Sequence, residues 1–207
     1  GYTIADEVRK KMITLWNVYS FYATYASVDG FSPEKNPLKI DSLSLLDRWI
    51  ISKTHLLLET SKKSFDNYRV DRLMKAFEIY LEELSNWYIR RSRRRFWKSE
   101  DDEDKNNAYI TLYHVLSVSI KCVAPILPFI TENIYQNLIK NSENSVPESV
   151  HLCDYPQPES SYINYQLMKN VDSLKKCVEL GRSARSQNNI KIRQPLKKVL
   201  FAIEDND

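Results

Sequence analysis

The sequence predicts an all-α fold, a helical bundle followed by the start of a small α/β C-terminal region, and three observations support this prediction. Apolar side chains recur every three or four residues over long stretches, which is the period of a helix buried on one face. The 207 residues include only 3 glycines, too few for a glycine-turned β-barrel or a phosphate-binding glycine loop. Hydrophobic residues make up 43% and charged residues 28%, as in globular domains that fold around their own core.

Five helices are predicted before residue 140, and together they form a first domain, 1–140. The helical period and the loop prolines define their limits. The predicted helices run over about 6–29, from a cap at Asp41 or Ser42 to Tyr68, from Val70 into an arginine-rich stretch, from Tyr109 to Val123, and from Ile130 to Leu138. Pro125 and Pro128 separate the last two, because proline removes a backbone donor and clashes with the preceding turn.

The remainder of the chain divides into a loop and a last region. Residues 141–162 contain three prolines and one short apolar patch, which predicts a long loop packed on the bundle. Residues 163–207 contain a sixth helix, and residues 197–203 are predicted to form a short β-strand. Because no partner strand is visible, we expect 163–207 to be the first part of a truncated C-terminal region.

Charge, hydropathy and cysteine content narrow the class of protein. The net charge of +3 is too small to indicate nucleic-acid binding by itself. No apolar run approaches the roughly 20 residues that span a bilayer, so no membrane partner is expected. The three cysteines are odd in number and far apart, which favours reduced thiols and a cytoplasmic location.

Residues 86–98, here called the arginine-rich segment, are the most unusual stretch. They hold five arginines within roughly two helical turns, with Trp87 and Trp97 on either side. Guanidinium groups bind phosphates through paired hydrogen bonds, and aromatic rings stack on unpaired bases. The segment therefore predicts an RNA-binding surface.

Two other interpretations of this segment stay open. Glu82, Glu83 and the acidic run 100–104 would neutralise the arginines in a solvated charge network if they lay beside them. The tryptophans would then belong to the core, and for Trp87 core packing and base stacking are equally supported. As a rival function, the same residues would suit a helical protein-interaction domain whose tryptophans and arginines bind an acidic protein.

No catalytic or metal-binding residues are predicted. His151 and Cys153 are the one close pair of histidine and cysteine, and no paired-cysteine motif lies near them. Cys122 and His114 would lie near one face of a helix, but a buried thiol in an apolar helix is the favoured interpretation. The sequence also lacks a nucleophile elbow and the glycine pattern of a dinucleotide fold.

Several motifs in order along nearly the whole chain resemble the helical anticodon-binding domain of isoleucyl-tRNA synthetases, a class I synthetase family. They are Leu15-Trp16-Asn17-Val18-Tyr19-Ser20-Phe21, Tyr25-Ala26, Asp47-Arg48-Trp49-Ile50, residues 84–97, Ala124-Pro125-Ile126-Leu127-Pro128-Phe129 and Ser149-Val150-His151-Leu152. The arginine-rich segment is the isoleucine-specific part of the resemblance. Residues 182–196 look like the linker into a further C-terminal region.

The resemblance implies that the chain binds the anticodon stem and loop of isoleucine tRNA. A bundle of this type would place its first helix beside the end of its third and form a cleft for the anticodon loop. The candidate tRNA-binding residues are Asn86, Trp87, Arg90, Arg91, Arg93, Arg94, Arg95 and Trp97, with Arg9, Lys10, Trp16 and Asn17 from the first helix.

The family's catalytic signatures, His-Ile-Gly-His and Lys-Met-Ser-Lys-Ser, are absent, and so is the editing insert. The resemblance thus implies that the intact parent protein ligates isoleucine to tRNA with ATP and magnesium, whereas this fragment should be inactive alone and need no cofactor. We expect its partners to be isoleucine tRNA and the missing catalytic, editing and C-terminal domains, in a monomer.

Overall fold

Seven α-helices contain most of the residues that the computed structural model describes, which are 2–97, 102–142 and 145–202. Their bounds are α1 Tyr2–Asp29, α2 Leu45–Asp66, α3 Val70–Glu83, α4 Arg90–Trp97, α5 Glu103–Val123, α6 Pro128–Tyr135 and α7 Tyr165–Gln187. A π-helical segment, Leu84–Ile89, joins α3 to α4, and a second, Gln136–Lys140, extends α6. The described residues before 141 thus form five continuous helical rods, and the all-α prediction is confirmed.

Helix α2 begins later than the sequence predicted. Its cap is Ser44, whose hydroxyl accepts a hydrogen bond from the Asp47 backbone N–H at 3.2 Å, while the Asp47 carboxylate accepts one from the Ser44 N–H at 3.2 Å. This reciprocal capping box satisfies two backbone donors, which a single capping side chain cannot do. The predicted caps Asp41 and Ser42 are wrong, because both belong to the short 3₁₀ turn Ile40–Ser42.

The π-helical segment has a cause in the spacing of buried side chains. From α3 to α4 one row of buried side chains recurs every four residues, at Tyr80, Leu84, Tyr88, Ser92 and Phe96, with Leu81 and Ile89 buried beside it. In an α-helix each such step rotates by about 40° beyond a full turn, so five positions drift about 160° around the helix. A π turn holds more residues per turn and absorbs this drift. One rod can therefore keep its whole length against the bundle.

The core lies where α2 and α5 pack against each other and against their neighbours. Trp49 and Ile50 of α2 and Leu112, Leu116 and Ile120 of α5 have no exposed surface. Helix α5 ends at Val123, and Pro128 opens α6 as its first residue, where its missing N–H costs nothing. The predicted break at Pro125 and Pro128 is confirmed.

The loop after α6 is fastened to the bundle by specific hydrogen bonds. The Tyr155 hydroxyl donates to the backbone oxygen of Cys122 at 3.0 Å and lies 2.8 Å from the Ser61 hydroxyl. The Glu159 backbone N–H donates to Nδ1 of His55 at 3.0 Å. These bonds compensate for the regular secondary structure that a proline-rich loop cannot form.

The chain separates into two compact units, 1–163 and 164–207. In the second unit, α7 is followed by irregular backbone. The predicted strand is not formed over 197–202, and Ile203 lies outside the described residues. A strand needs a neighbour to pair its backbone groups, and no other strand exists in the described part of the chain. The α/β character expected for this region is therefore not observed.

Two histidines meet between α2 and α5. The Nε2 atoms of His55 and His114 are 3.4 Å apart, and their rings stack with centroids 5.7 Å apart. Burial lowers the pKa of His55, and burial with the neighbouring His55 charge lowers the pKa of His114 to about 4. Both rings are therefore neutral at pH 7, and the unprotonated Nδ1 of His55 is free to accept the hydrogen bond from Glu159.

This pair predicts a loss of stability in mild acid. Below pH 6.5, the ordinary histidine pKa, His114 takes up a proton in the unfolded chain but stays neutral in the folded chain. The free energy of unfolding therefore falls as the pH is lowered from about 6.5, and it stops falling near pH 4, the pKa of His114 in the folded chain. Urea unfolding of His114→Asn between pH 7.5 and 4 should show a weaker pH dependence than the parent chain. The exposed His151→Asn is the control and should keep the parent's dependence. Identical curves for His114→Asn and the parent would contradict the assignment.

Candidate nucleic-acid interface

The arginine-rich segment is anchored by a carboxylate from another helix. Asp47, near the start of α2, has no exposed surface. It accepts two hydrogen bonds from the Arg95 guanidinium, at 2.7 and 2.8 Å, and one from the Tyr88 hydroxyl at 2.7 Å. Arg95 also contacts Asp104 of α5, through its backbone oxygen and its carboxylate, both at 2.9 Å. One guanidinium therefore ties α2, α4 and α5 together.

The electrostatics of this cluster keep Arg95 charged. Burial alone lowers the pKa of Arg95, but the hydrogen bonds and charge of Asp47 outweigh it and raise the pKa above its ordinary value. Burial and the Asp47 charge also raise the pKa of the Tyr88 hydroxyl, which stays a proton donor. The Arg95 side chain is only 13% exposed. The sequence predicted Arg95 as a tRNA contact, but in the structure its guanidinium binds Asp47 and Asp104. Arg95 is therefore not part of the exposed arginine surface.

The other four arginines face solvent. Arg90, Arg94 and Trp97 follow at steps of four and three residues, so they share one side of α4, and Arg93 lies next to them. All of them are exposed, with 56% of the Trp97 surface accessible. Among residues 2–97, 102–142 and 145–202, no carboxylate forms an ion pair with Arg90, Arg91, Arg93 or Arg94. None of the described carboxylates therefore neutralises these four arginines.

The proposed neutralising network does not form at Glu82 and Glu83. Lys11 of α1 binds the Glu82 carboxylate at 2.6 Å, and Lys53 of α2 lies 3.2 Å from the Glu83 carboxylate. Both glutamates therefore pair with lysines of other helices. Of the acidic run, Asp102 caps α5 and Asp104 binds Arg95, whereas residues 100 and 101 lie outside the described residues.

Trp87 is neither a core residue nor a free ring. It is half-buried, and the Arg91 guanidinium lies over its ring at 4.6 Å from the centroid. A cation over an aromatic face is attracted by the ring's negative quadrupole, so the two side chains form a layered pair. Asn86, one residue earlier, is exposed on the π-helical segment. The flat groups predicted to stack on bases are thus present at the surface.

Helix α1 supplies one side of this region. The Arg93 guanidinium lies 5.9 Å from the Phe21 ring centroid, and Phe21 packs edge-on against Phe96 at 5.1 Å. Lys10 and Asn17 are eleven and four residues before Phe21, spacings that put all three on one side of a helix. Lys10 and Asn17 are both exposed on this side of α1, Asn17 about one helical turn and Lys10 about three turns before Phe21.

Arg9 and Trp16 point elsewhere. Each lies one position before Lys10 or Asn17, about 100° around the helix. Arg9 pairs with Asp6 at 3.2 Å, and Trp16 packs edge-on against Tyr19 with ring centroids 5.2 Å apart. Of the four predicted α1 residues, Lys10 and Asn17 therefore share the side of α1 that carries Phe21, and Arg9 and Trp16 lie on a neighbouring side.

Sequence reasoning missed Phe21, Tyr88 and Asp47 as parts of this site. The spacing of Phe21 with Asn17 was a usable signal, since residues four apart on a helix are neighbours. The capping box marked Asp47 as a helix-start residue, but nothing local connected it with Arg95, 48 positions away. That contact exists only in the folded chain.

Other kinds of site are not found among the described residues. Nowhere in them do three His, Cys, Asp or Glu side chains gather in a way that could hold a metal ion. Cys122 hydrogen-bonds with Tyr155 and not with His114, so the considered cysteine–histidine pair does not form. None of the described helices is both long and apolar enough to cross a lipid bilayer.

Comparison with known proteins gives a consistent result. Residues 47–200 match the family model described as the anticodon-binding domain of tRNA ligase. The chain is 44% identical over 201 residues, 97% of its length, to the isoleucine–tRNA ligase of Clostridium kluyveri, and 44% identical over 201 residues to that of Clostridium tetani. It is 43% identical over 196 residues to that of Dehalococcoides mccartyi strain 195. The chain spans 19% of the length of each of these relatives.

The inward arginine and its outward neighbours should respond differently to substitution. Arg95→Met removes the positive partner of a fully buried carboxylate and should lower the free energy of unfolding by about 3–5 kcal/mol. Arg94→Ala, one position earlier and exposed, should change it by less than about 0.5 kcal/mol. Urea denaturation followed by circular dichroism measures both. Equal effects of the two substitutions would show that Asp47 does not depend on Arg95.

Proposed function

The chain belongs to the anticodon-binding domain family of tRNA ligases, and from that premise we propose that it holds the anticodon stem and loop of isoleucine tRNA within an isoleucine–tRNA ligase. The observation that carries the proposal is the exposed face of α4. Four arginines there have no carboxylate partner among the described residues, and flat side chains able to stack lie beside them. An acidic protein would also be attracted by these charges, but the family does not favour that partner.

Arg90, Arg93 and Arg94 are the proposed phosphate contacts. Each presents a planar group of donors that can bind a phosphate through two hydrogen bonds. Contacts of this kind fix the register of the RNA and supply most of the salt-sensitive affinity, without reading bases. Lys10, on the side of α1 that carries Phe21, would add a point charge to the same electrostatic field.

The Trp87 and Arg91 pair and the exposed Trp97 are the proposed base contacts. Anticodon bases are unpaired, so their flat faces can stack on an indole or a guanidinium plane. Asn86 and Asn17 present amides that can donate and accept hydrogen bonds at a base edge. A surface that combines cations with stacking groups suits a single-stranded loop better than a duplex.

The activity of the whole ligase is likewise a proposal for this chain. The parent would join isoleucine to its tRNA with ATP and magnesium, in the cytoplasm and as a monomer, through domains that this chain does not contain. We expect this chain to bind neither ATP nor magnesium by itself, since its sequence has no glycine loop for phosphates. This chain's own part is to bind and orient the RNA.

Removal of two exposed arginines tests the RNA surface. Arg91→Ala with Arg94→Ala should weaken binding of isoleucine tRNA and reduce the slope of log affinity against log salt by at most about two. The Arg94 phosphate contact accounts for about one released counterion, and the Arg91 cation, which stacks on Trp87, adds no more than one. Fluorescence anisotropy at several salt concentrations measures affinity and slope, and a thermal melt should stay unchanged.

The matched control is Arg72→Ala with Lys75→Ala, two exposed cations at the other end of the same rod, roughly 25–30 Å away along the helix axis. Their loss should leave the slope almost unchanged. An unchanged slope in the Arg91 and Arg94 variant, together with a lower melting temperature, would mean that these arginines stabilise the bundle and do not bind RNA.

A second test concerns catalysis. Because the sequence lacks both nucleotide-binding signatures, the isolated chain should not catalyse isoleucine-dependent exchange of labelled pyrophosphate into ATP. A full-length relative is the positive control. Exchange above background by the 207-residue chain would show that it contains an unrecognised activation site.

A further inference from the structure

Charge is distributed unequally between the two units. Residues 1–163 contain 21 lysines and arginines against 22 aspartates and glutamates, whereas 164–207 contain nine against five. Between Arg182 and Lys198 there are six basic residues and no acidic one. The small net charge of the whole chain hides a strongly basic stretch, here called the C-terminal basic segment, Arg182–Lys198.

Five of its six cations are open to a ligand. Arg182, Lys191, Arg193, Lys197 and Lys198 are exposed, and none forms an ion pair with a carboxylate in the described part of the chain. Cations gathered on one segment, without a carboxylate partner among the described residues, produce a local positive potential that favours a polyanion.

The sixth cation holds the segment in place. The Arg185 guanidinium donates to the backbone oxygens of Lys191 at 3.0 Å and Gln194 at 2.7 Å. These two bonds fold the chain back at the end of α7. On the same unit, Ile190 and Leu196 line a groove along α7, and the Phe201 ring lies beside Gly181. Hydrogen bonds from Arg185 and apolar packing against α7 therefore position the backbone that carries these cations.

We propose that the C-terminal basic segment is a second RNA contact, which binds phosphates without reading sequence. The proposal rests on the proposed function, since it takes the polyanion to be tRNA. Phosphate contact is favoured over base contact because the segment contains no tryptophan or tyrosine, whereas the arginine-rich segment has Trp87 and Trp97 for stacking. In this proposal the arginine-rich segment reads unpaired bases, and the C-terminal basic segment adds salt-sensitive affinity.

The test uses the 207-residue chain with Arg193→Gln and Lys197→Gln. Affinity for isoleucine tRNA and for an unrelated tRNA is measured by fluorescence anisotropy at several salt concentrations. The slope of log affinity against log salt should fall by about one to two, and by the same amount for both tRNAs, because phosphates are common to all. Lys62→Gln with Lys63→Gln, two exposed lysines of α2, is the control and should leave the slope unchanged.

Comparison with the Arg91 and Arg94 variant separates the two proposals. An effect at Arg193 and Lys197 without one at Arg91 and Arg94 supports the second contact and removes the arginine-rich segment. The reverse result overturns the second contact and leaves the proposed function intact. A parent chain that binds neither tRNA at low salt overturns both.

A local measurement identifies the polyanion. Acetylation of Lys191, Lys197 and Lys198 by an amine reagent, followed by mass spectrometry, should be slowed by tRNA, while Lys62 and Lys63 react at an unchanged rate. Poly-glutamate of the same total charge should protect these lysines far less than tRNA. Equal protection by poly-glutamate, or no protection by tRNA, would overturn the proposal of an RNA contact.

Discussion

Once Asp47 is buried at the start of α2, the chain must supply its carboxylate with positive charge and hydrogen bonds. An unpaired carboxylate in the interior costs several kcal/mol, a large share of the stability of a domain of this size. Arg95 and Tyr88, which lie on the same continuous helix, donate these hydrogen bonds to Asp47. Arg95 also forms an ion pair with Asp104 of α5. The pair therefore specifies an arrangement of helices more than it adds net stability, since desolvation consumes much of its attraction.

This constraint also determines which arginines face the solvent. Because Arg95 points inward to Asp47, the rotation of α4 about its axis is set, and residues on its opposite side must be exposed. Arg90, Arg94 and Trp97 occupy that side. The π-helical segment contributes by keeping the buried positions of α3 and α4 in line. A buried ion pair and a change in helical pitch thus orient the exposed face of α4.

The sequence was informative where the evidence is local and periodic. Repeated apolar spacing located the helices, and Pro125 and Pro128 predicted the break before α6, which begins two residues before the predicted Ile130. The strand at 197–202 failed because strand formation depends on a partner that local sequence cannot reveal. Arg95 could not be told from Arg94, since both are arginines in one run and the difference lies in a carboxylate 48 positions away. Burial of a charge is a tertiary property, and only the folded chain shows it.

The difference between the buried Arg95 and the exposed arginines beside it also bears on how such a chain would recognise RNA. Charge alone attracts any polyanion with a strength that falls as salt rises, so a purely cationic surface cannot choose between RNAs. Selection needs groups with shape and direction beside the cations, and under the proposed function Trp87 with Arg91 and the amide of Asn86 would provide them on the bundle. Those groups can discriminate only if their positions are fixed before the RNA arrives, because ordering them on binding would cost affinity. The inward turn of Arg95 meets this condition: one arginine of the run is withdrawn from binding, and the helix that carries the others is held in place.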